Sequence, residues 1–172
     1  SLADLAELAC TVDQEDLEFL EECVRVNLLL ADYGLEHGPG LGVGRALARL
    51  ADRGMLGRDM VLSARMLTAA AADARMSGVK MPAMSSAGSG SHGLTAVLPV
   101  CAVRDFVDAT PRRALEAVAL SHLVTGYVKA HTGRLSALCG CSVAAGSGAT
   151  AGAAYLLGGG PEQVAAAMKN LI

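Results

Sequence analysis

The segment Met84-Ser-Ser-Ala-Gly-Ser-Gly-Ser-His-Gly93 concentrates the side chains best suited to chemistry. Gly88, Gly90 and Gly93 meet the G-x-G-x-x-G spacing that lets backbone amides approach a pyrophosphate. A dinucleotide site also needs a preceding strand and an acidic residue about 20 positions later in a βαβ unit. Val79-Lys-Met-Pro-Ala83 is a poor strand, and no alternating strands follow. A gentler reading survives, in which consecutive amides and hydroxyls form a nest for a small anion such as a carboxylate. On the residues alone a tight turn whose serines cap neighbouring helices is the favoured alternative.

His92 beside Ser89 and Ser91 supplies the residue types of a nucleophile and its base. No G-x-S-x-G elbow accompanies them, and neighbours in sequence lack the geometry of a working pair. Ser77-Gly-Val-Lys80 fits S-x-x-K without its companion motifs. Cys139-Gly-Cys141 places two thiols roughly 200° apart on a helix, so at most one faces a given site. No C-x-x-C or Cys/His grouping completes a metal site, and Cys10, Cys23 and Cys101 lie on apolar faces as expected of buried free thiols. His122, amid Leu120, Leu123 and Val124, reads as a satisfied structural histidine. Arg134 is either a surface charge or a fork for a substrate carboxylate.

The elements that must hold these residues are helices. The 172 residues are 52% hydrophobic but only 3% aromatic, so the core is built of Ala, Leu, Val and Met in one domain. Asp13 or Thr11 can cap a helix whose Leu17, Leu20, Val24, Leu28 and Ala31 repeat at helical spacing, with Gly34 as its stop. A glycine-rich loop at 35–44 precedes a short helix from Ala46 to Arg53. Asp59 caps a longer one to about Arg75. Thr110-Pro111 opens another that stops at Gly133, and Pro161-Glu162 a last one. Leu94 to Val103 is the only strand-like run, interrupted by Pro99. The expectation is a mainly α, compact helical domain with a buried Ala/Gly-rich central helix and glycine-serine-rich loops.

The net charge of −3 leaves no electrostatic footprint for nucleic acid or an anionic membrane. The charge-free stretch from Leu135 to Pro161 is 27 residues, long enough for a bilayer, but its many glycines and few leucines place it inside protein. Five cysteines, an odd number, and an acidic start suggest a reducing, cytoplasmic setting. The chain begins at Ser1 and stops inside an amphipathic pattern, so residues 1–172 are expected to be one domain cut at both ends.

Several motifs in one order carry a resemblance. Ala71-Ala-Asp-Ala-Arg-Met-Ser-Gly78, Met81-Pro-Ala-Met-Ser-Ser-Ala-Gly-Ser-Gly90 and Leu94-Thr-Ala-Val-Leu-Pro-Val100 resemble the L-cysteine desulfidase family, which carries a serine dehydratase-like alpha-chain domain. Leu120-Ser-His-Leu123 and Arg134-Leu-Ser-Ala-Leu-Cys139, followed by the Ala/Gly-rich helix, match the same family. The resemblance covers about residues 40–172 well and the first 40 loosely. It implies a [4Fe–4S] cluster held by three cysteines with one iron open as a Lewis acid. It also implies elimination of sulfide or water from L-cysteine or L-serine to give pyruvate and ammonia. Cys139 lies at the middle ligand position. A Gly-Cys-Thr-Glu-Pro motif upstream and an Ile-Cys-Asp-Gly motif downstream are not in this sequence. The cluster is therefore expected in the full-length parent and not on this fragment, which is expected to be inactive alone.

The resemblance makes Ser85, Ser86, Ser89 and Gly90 candidates for the amino acid's carboxylate or amine. His92, where the sequence departs from the family's usual loop, is a variant contact. Arg134 is a carboxylate contact or a support to Cys139. The expected partners are a small amino acid and the upstream domain of the same parent, with self-association possible and neither nucleic acid nor membrane. A non-catalytic amino-acid-binding module, or a helical oligomerisation domain built on residues 142–157, are the competing readings.

Overall fold

The computed structural model describes residues 1–133 and 136–171, and among these the regular structure is helical throughout. Eight α-helices follow in order: α1 (Leu2–Cys10), α2 (Gln14–His37), α3 (Val43–Asp52), α4 (Met60–Met76), α5 (Gly90–Arg104), α6 (Pro111–Thr132), α7 (Gly146–Leu156) and α8 (Pro161–Leu171). A π-helical turn, Cys141–Ala145, leads into α7.

Most starts fall where the sequence puts them. Asp13, Asp59 and Thr110 each accept a backbone N–H two or three residues into α2, α4 and α6, and Pro111 occupies the first position of α6. Two expectations fail. Gly34 does not stop α2: the helix runs to His37 and ends on Gly38 in a left-handed cap. Gly34 is instead buried where α4 crosses, and a Cβ on it would sit 2.0 Å from the Ala70 carbonyl oxygen. The glycine marks close helix packing, a use that looks identical to a cap in sequence.

The second failure is Leu94–Val103, which is not a strand but most of α5. Eleven of the fifteen residues of α5 are buried. A helix covered on all sides has no polar face, so neither the helical nor the strand period appears in its sequence. Pro99 sits within this helix.

α5 is the central element. It packs on α2 and α4 on one side and on α6 and α7 on the other. Leu94 and Leu98 join Leu30, Ala31, Ala71 and Ala74 in one apolar cluster; Val97, Val100 and Cys101 join α1, α2, α6, α7 and α8 in a larger one. The Ala/Gly stretch is buried as expected, since Ser147, Gly148, Ala149, Ala151 and Gly152 of α7 are all inaccessible. The absence of side chains at Gly148 and Gly152 lets α7 approach the Ser121 and Ala117 carbonyls of α6. No helix among the described residues is long and apolar enough to cross a membrane.

α1 is tied on by polar contacts. Arg112 donates to the Cys10 and Val12 carbonyls at 3.5 and 3.3 Å, and Tyr155 Oη donates to Glu116 at 3.0 Å beside the Cys10 sulfur. Cys10 is exposed at the helix end, contrary to the buried thiol expected, while Cys23 and Cys101 are buried.

Candidate functional site

The glycine-serine loop between α4 and α5 is built on a two-residue turn. Ser86 and Ser89 exchange both backbone hydrogen bonds at 3.1 Å, and Ala87 and Gly88 between them have φ of 47° and 80°. Positive φ at both central positions is the type I′ geometry, costly for alanine and free for glycine. Ser89 then accepts the His92 N–H at 3.4 Å as the N-cap of α5. The loop therefore both caps a helix, as the plainer reading has it, and presents a rigid turn beside that helix's amide-rich end.

Two further clamps fix the loop. A Cβ on Gly93 would lie 1.9 Å from the Met84 carbonyl oxygen, so α5 lies directly against the loop's entry. Asn27 of α2, fully buried, grips the same residue: Met84 N–H donates to Asn27 Oδ1 at 2.9 Å, and Asn27 Nδ2 donates back to Met84 O at 3.4 Å. Sequence reasoning passed over Asn27. A polar residue in the buried stripe of an amphipathic helix was the available signal.

The loop serines divide in role. Ser85 is exposed; Ser86 is buried, with its hydroxyl 2.8 Å from His122 Nδ1. The opposite nitrogen of His122 lies 3.6 Å from Cys23 Sγ. The serine–histidine contact in this fold is thus Ser86 with His122, not Ser89 or Ser91 with His92. Burial pushes His122 down to about 4, so it is a neutral imidazole at ordinary pH. Burial pushes the Cys23 thiol up to about 11.

His92 lies at the end of a different contact. Its Nε2 would be 2.4 Å from a Cβ on Gly140, which brings the Cys139-Gly140-Cys141 segment against the first turn of α5. The ring is buried, with no hydrogen-bond partner for Nδ1 among the described residues. Burial lowers its pKa first and the Lys129 charge adds to this, with the Ser86 backbone opposing. Arg75, at the end of α4, donates to Ser91 Oγ at 3.2 Å, and its guanidinium covers Gly90.

The two thiols of Cys139 and Cys141 are inequivalent. Cys139 is exposed, and the backbone N–H groups of Ser142 and Cys141 favour its charged sulfur, lowering its pKa. Cys141 is half-buried, and burial followed by the neighbouring Cys139 raises it. Arg134 lies outside the described residues.

The deciding comparison is a match to the serine dehydratase alpha chain family over residues 4–172. The chain belongs to that family. Among its relatives, a UPF0597 protein of Desulfotalea psychrophila is 58% identical over 172 residues, covering 100% of this chain and 39% of its own length. Another from Desulfatibacillum aliphaticivorans is 59% identical over 171 residues, 99% of this chain and 39% of the relative. A third, from Clostridioides difficile, is 51% identical over 161 residues, covering 94% and 38%. The chain thus spans about two fifths of the length of the curated relatives it matches. No solved structure matches it.

Within the family's alpha-chain fold, the structure brings Ser85, Ser86, Ser89, Gly90 and His92 into one loop-and-helix corner and sets Gly140 against it. A groove of about 600 Å³ lies between α2 and the start of α6 and is lined by Glu18, Glu22, Arg25, Arg104 and Leu115. It shares no residue with this corner. Among the described residues no three His, Cys, Asp or Glu side chains converge as a metal site.

Proposed function

We propose that this chain is the amino-acid-binding core of an iron–sulfur lyase that eliminates sulfide or water from L-cysteine or L-serine. The observation that carries the reading is the approach of Gly140 to His92, because Gly140 directly follows Cys139, an exposed thiol of lowered pKa, and His92 directly follows the serine loop.

The serine loop's part is to bind and orient. Ser85 and Ser89, with the amides of the first turn of α5, offer donors to a carboxylate at a helix N-terminus. Arg75, held by Ser91, adds a cation to the same end of the helix. The Cys139 thiolate fits one ligand position of a cluster, since exposure and two backbone N–H donors favour the charged sulfur that metal binding requires. A [4Fe–4S] cluster, when bound, would supply an open iron as Lewis acid for the departing group. One thiolate does not hold such a cluster by itself. The remaining ligands belong to sequence outside residues 1–172, and this chain alone is expected to be without cluster and inactive. The same reading makes the upstream part of the parent its partner and a reducing cytoplasm its setting.

The test is anaerobic sulfide release from L-cysteine by the full-length protein, reconstituted with iron and sulfide, beside its Cys139→Ala variant. Release by the parent and none by the variant supports the reading. No turnover of L-cysteine or L-serine by either sinks it in favour of a non-catalytic binding module.

A further inference from the structure

Five residues, joined by four hydrogen-bond contacts, close a ring around the entry to the serine loop. It runs from Met84 to Asn27 of α2, to Cys23 one turn earlier on α2, to His122 of α6, and back to the loop at Ser86. Two of its members, Cys23 and Asn27, are fully buried, and Ser86 nearly so. The ring has a direction, and Met84 sets it. The Met84 N–H can only donate, so the Asn27 oxygen must face it and the Asn27 amide nitrogen must face the other way. That nitrogen donates to the Met84 carbonyl at 3.4 Å and reaches the Cys23 sulfur at 3.9 Å. While its sulfur accepts from Asn27, Cys23 still has its S–H to give, and His122 Nε2 lies 3.6 Å away in a position to accept it.

We infer that His122 is a positioning residue for Ser86: its ring is held as the Nδ1–H tautomer, which donates to the Ser86 oxygen and leaves the Ser86 O–H to be given to a bound anion. The neutrality of both intermediates is consistent with this, since burial keeps the Cys23 thiol protonated and His122 uncharged. A histidine so reluctant to take a proton is a poor base for a serine hydroxyl, so the pair is not a nucleophile and its activator. The Ser86 backbone is already paired with Ser89 in both directions, so the hydroxyl proton is what this residue has left to offer. That last step rests on the proposed binding of the amino acid's carboxylate at the serine loop; the tautomer itself does not.

Two-bond ¹H–¹⁵N correlation spectra of the ¹⁵N-histidine-labelled 172-residue chain read the tautomer directly. His122 is expected as neutral Nδ1–H from pH 8 to about pH 5. The bias should be kept in Cys23→Ser, which retains a donor, and lost in Cys23→Ala. An Nε2–H ring, or an imidazolium already at pH 6, overturns the inference. In the full-length enzyme, Ser86→Ala and His122→Phe should each raise KM about tenfold with kcat nearly unchanged. The double variant should be no worse than either, and His122→Asn, whose amide can place an N–H near the Nδ1 position, should recover most of the loss. If Ser86→Ala raises KM and His122→Phe does not, the positioning role falls and the binding reading stands. If Ser86→Ala leaves KM unchanged, substrate binding through Ser86 falls, and with it the donor role, whatever the spectra show.

Discussion

His92 Nε2 occupies the space in which a side chain on Gly140 would begin, 2.4 Å from where its Cβ would stand. This approach sets the start of α5 against the Cys139–Cys141 segment, which leads through the π-helical turn into α7. Gly140 has an ordinary right-handed backbone, φ −63° and ψ −29°, so it is glycine for space and not for conformation. Lys129 Nζ, 3.4 Å from the same point, closes the other side.

Gly140→Ala is therefore expected to destabilise the fold by about 1–3 kcal/mol, the usual cost of forcing a packed side chain aside. His92→Ala opens the space, so the double variant should be more stable than the sum of the single losses predicts. A double-mutant cycle by urea denaturation measures the coupling. Additive losses would mean that the two residues do not meet.

Four of the five thiols should separate on alkylation of the native chain. Cys139 is exposed with its pKa lowered, and should react well before half-buried Cys141, whose pKa is raised. Cys23 and Cys101 are buried, with pKa values pushed up to about 11 and about 12. They should stay unlabelled until the chain unfolds, because only a thiolate that reagent can reach will react. Peptide mass spectrometry over a time course with iodoacetamide gives the order. Early labelling of Cys23 would contradict the ring that encloses it.

Much of this arrangement was legible beforehand, and the reason differs from residue to residue. Asp13, Asp59 and Thr110 announce helix starts because capping is local chemistry, decided within four residues. Gly34 misleads because its role is set by Ala70, 36 positions away, and a contact partner leaves no mark beside the residue it constrains. α5 misleads because complete burial erases the amphipathic period. At the site, the order of motifs pointed to the serine loop and Cys139. It could not show that Ser86 turns inward to His122 while Ser85 faces water, since adjacent residues on an irregular turn follow no periodicity. Asn27 and Cys23 were hidden the same way, as members of an apolar stripe whose polar atoms find partners only in the fold.

His122 also predicts a pH dependence of stability. Its folded pKa of about 4 is below the ordinary 6.5, so between those values the unfolded chain binds a proton that the folded chain refuses. Stability contributed this way is intact above pH 6.5 and is lost as the pH falls toward 4, by up to about 3 kcal/mol. His92 shifts in the same direction, so the comparison is between wild type and His122→Asn. Urea denaturation at pH 4.5, 5.5 and 7 should show a shallower acid decline in the variant. Equal slopes would remove His122 as a source of acid sensitivity.

Gly126 and Gly148 make a paired test of the α6–α7 contact, because both are helical and only one is enclosed. A Cβ on Gly148 would lie 2.1 Å from Thr125 Oγ1 and 2.3 Å from the Ser121 carbonyl oxygen, and a backbone carbonyl has nowhere to go. Thr125 is itself held, donating to that same Ser121 oxygen at 2.7 Å, so rotating it away would break a buried hydrogen bond. Gly148→Ala should therefore cost at least about 2 kcal/mol through forced separation of the helices. Gly126 has nothing within 4 Å of the same position, and alanine there should stabilise α6 by about 0.5–1 kcal/mol through helix propensity alone. Thermal and urea unfolding of the two variants should thus move in opposite directions. A Gly148→Ala chain as stable as wild type would mean that α7 does not lie against α6 at this depth, and the Cys139 segment that leads into α7 would lose its support.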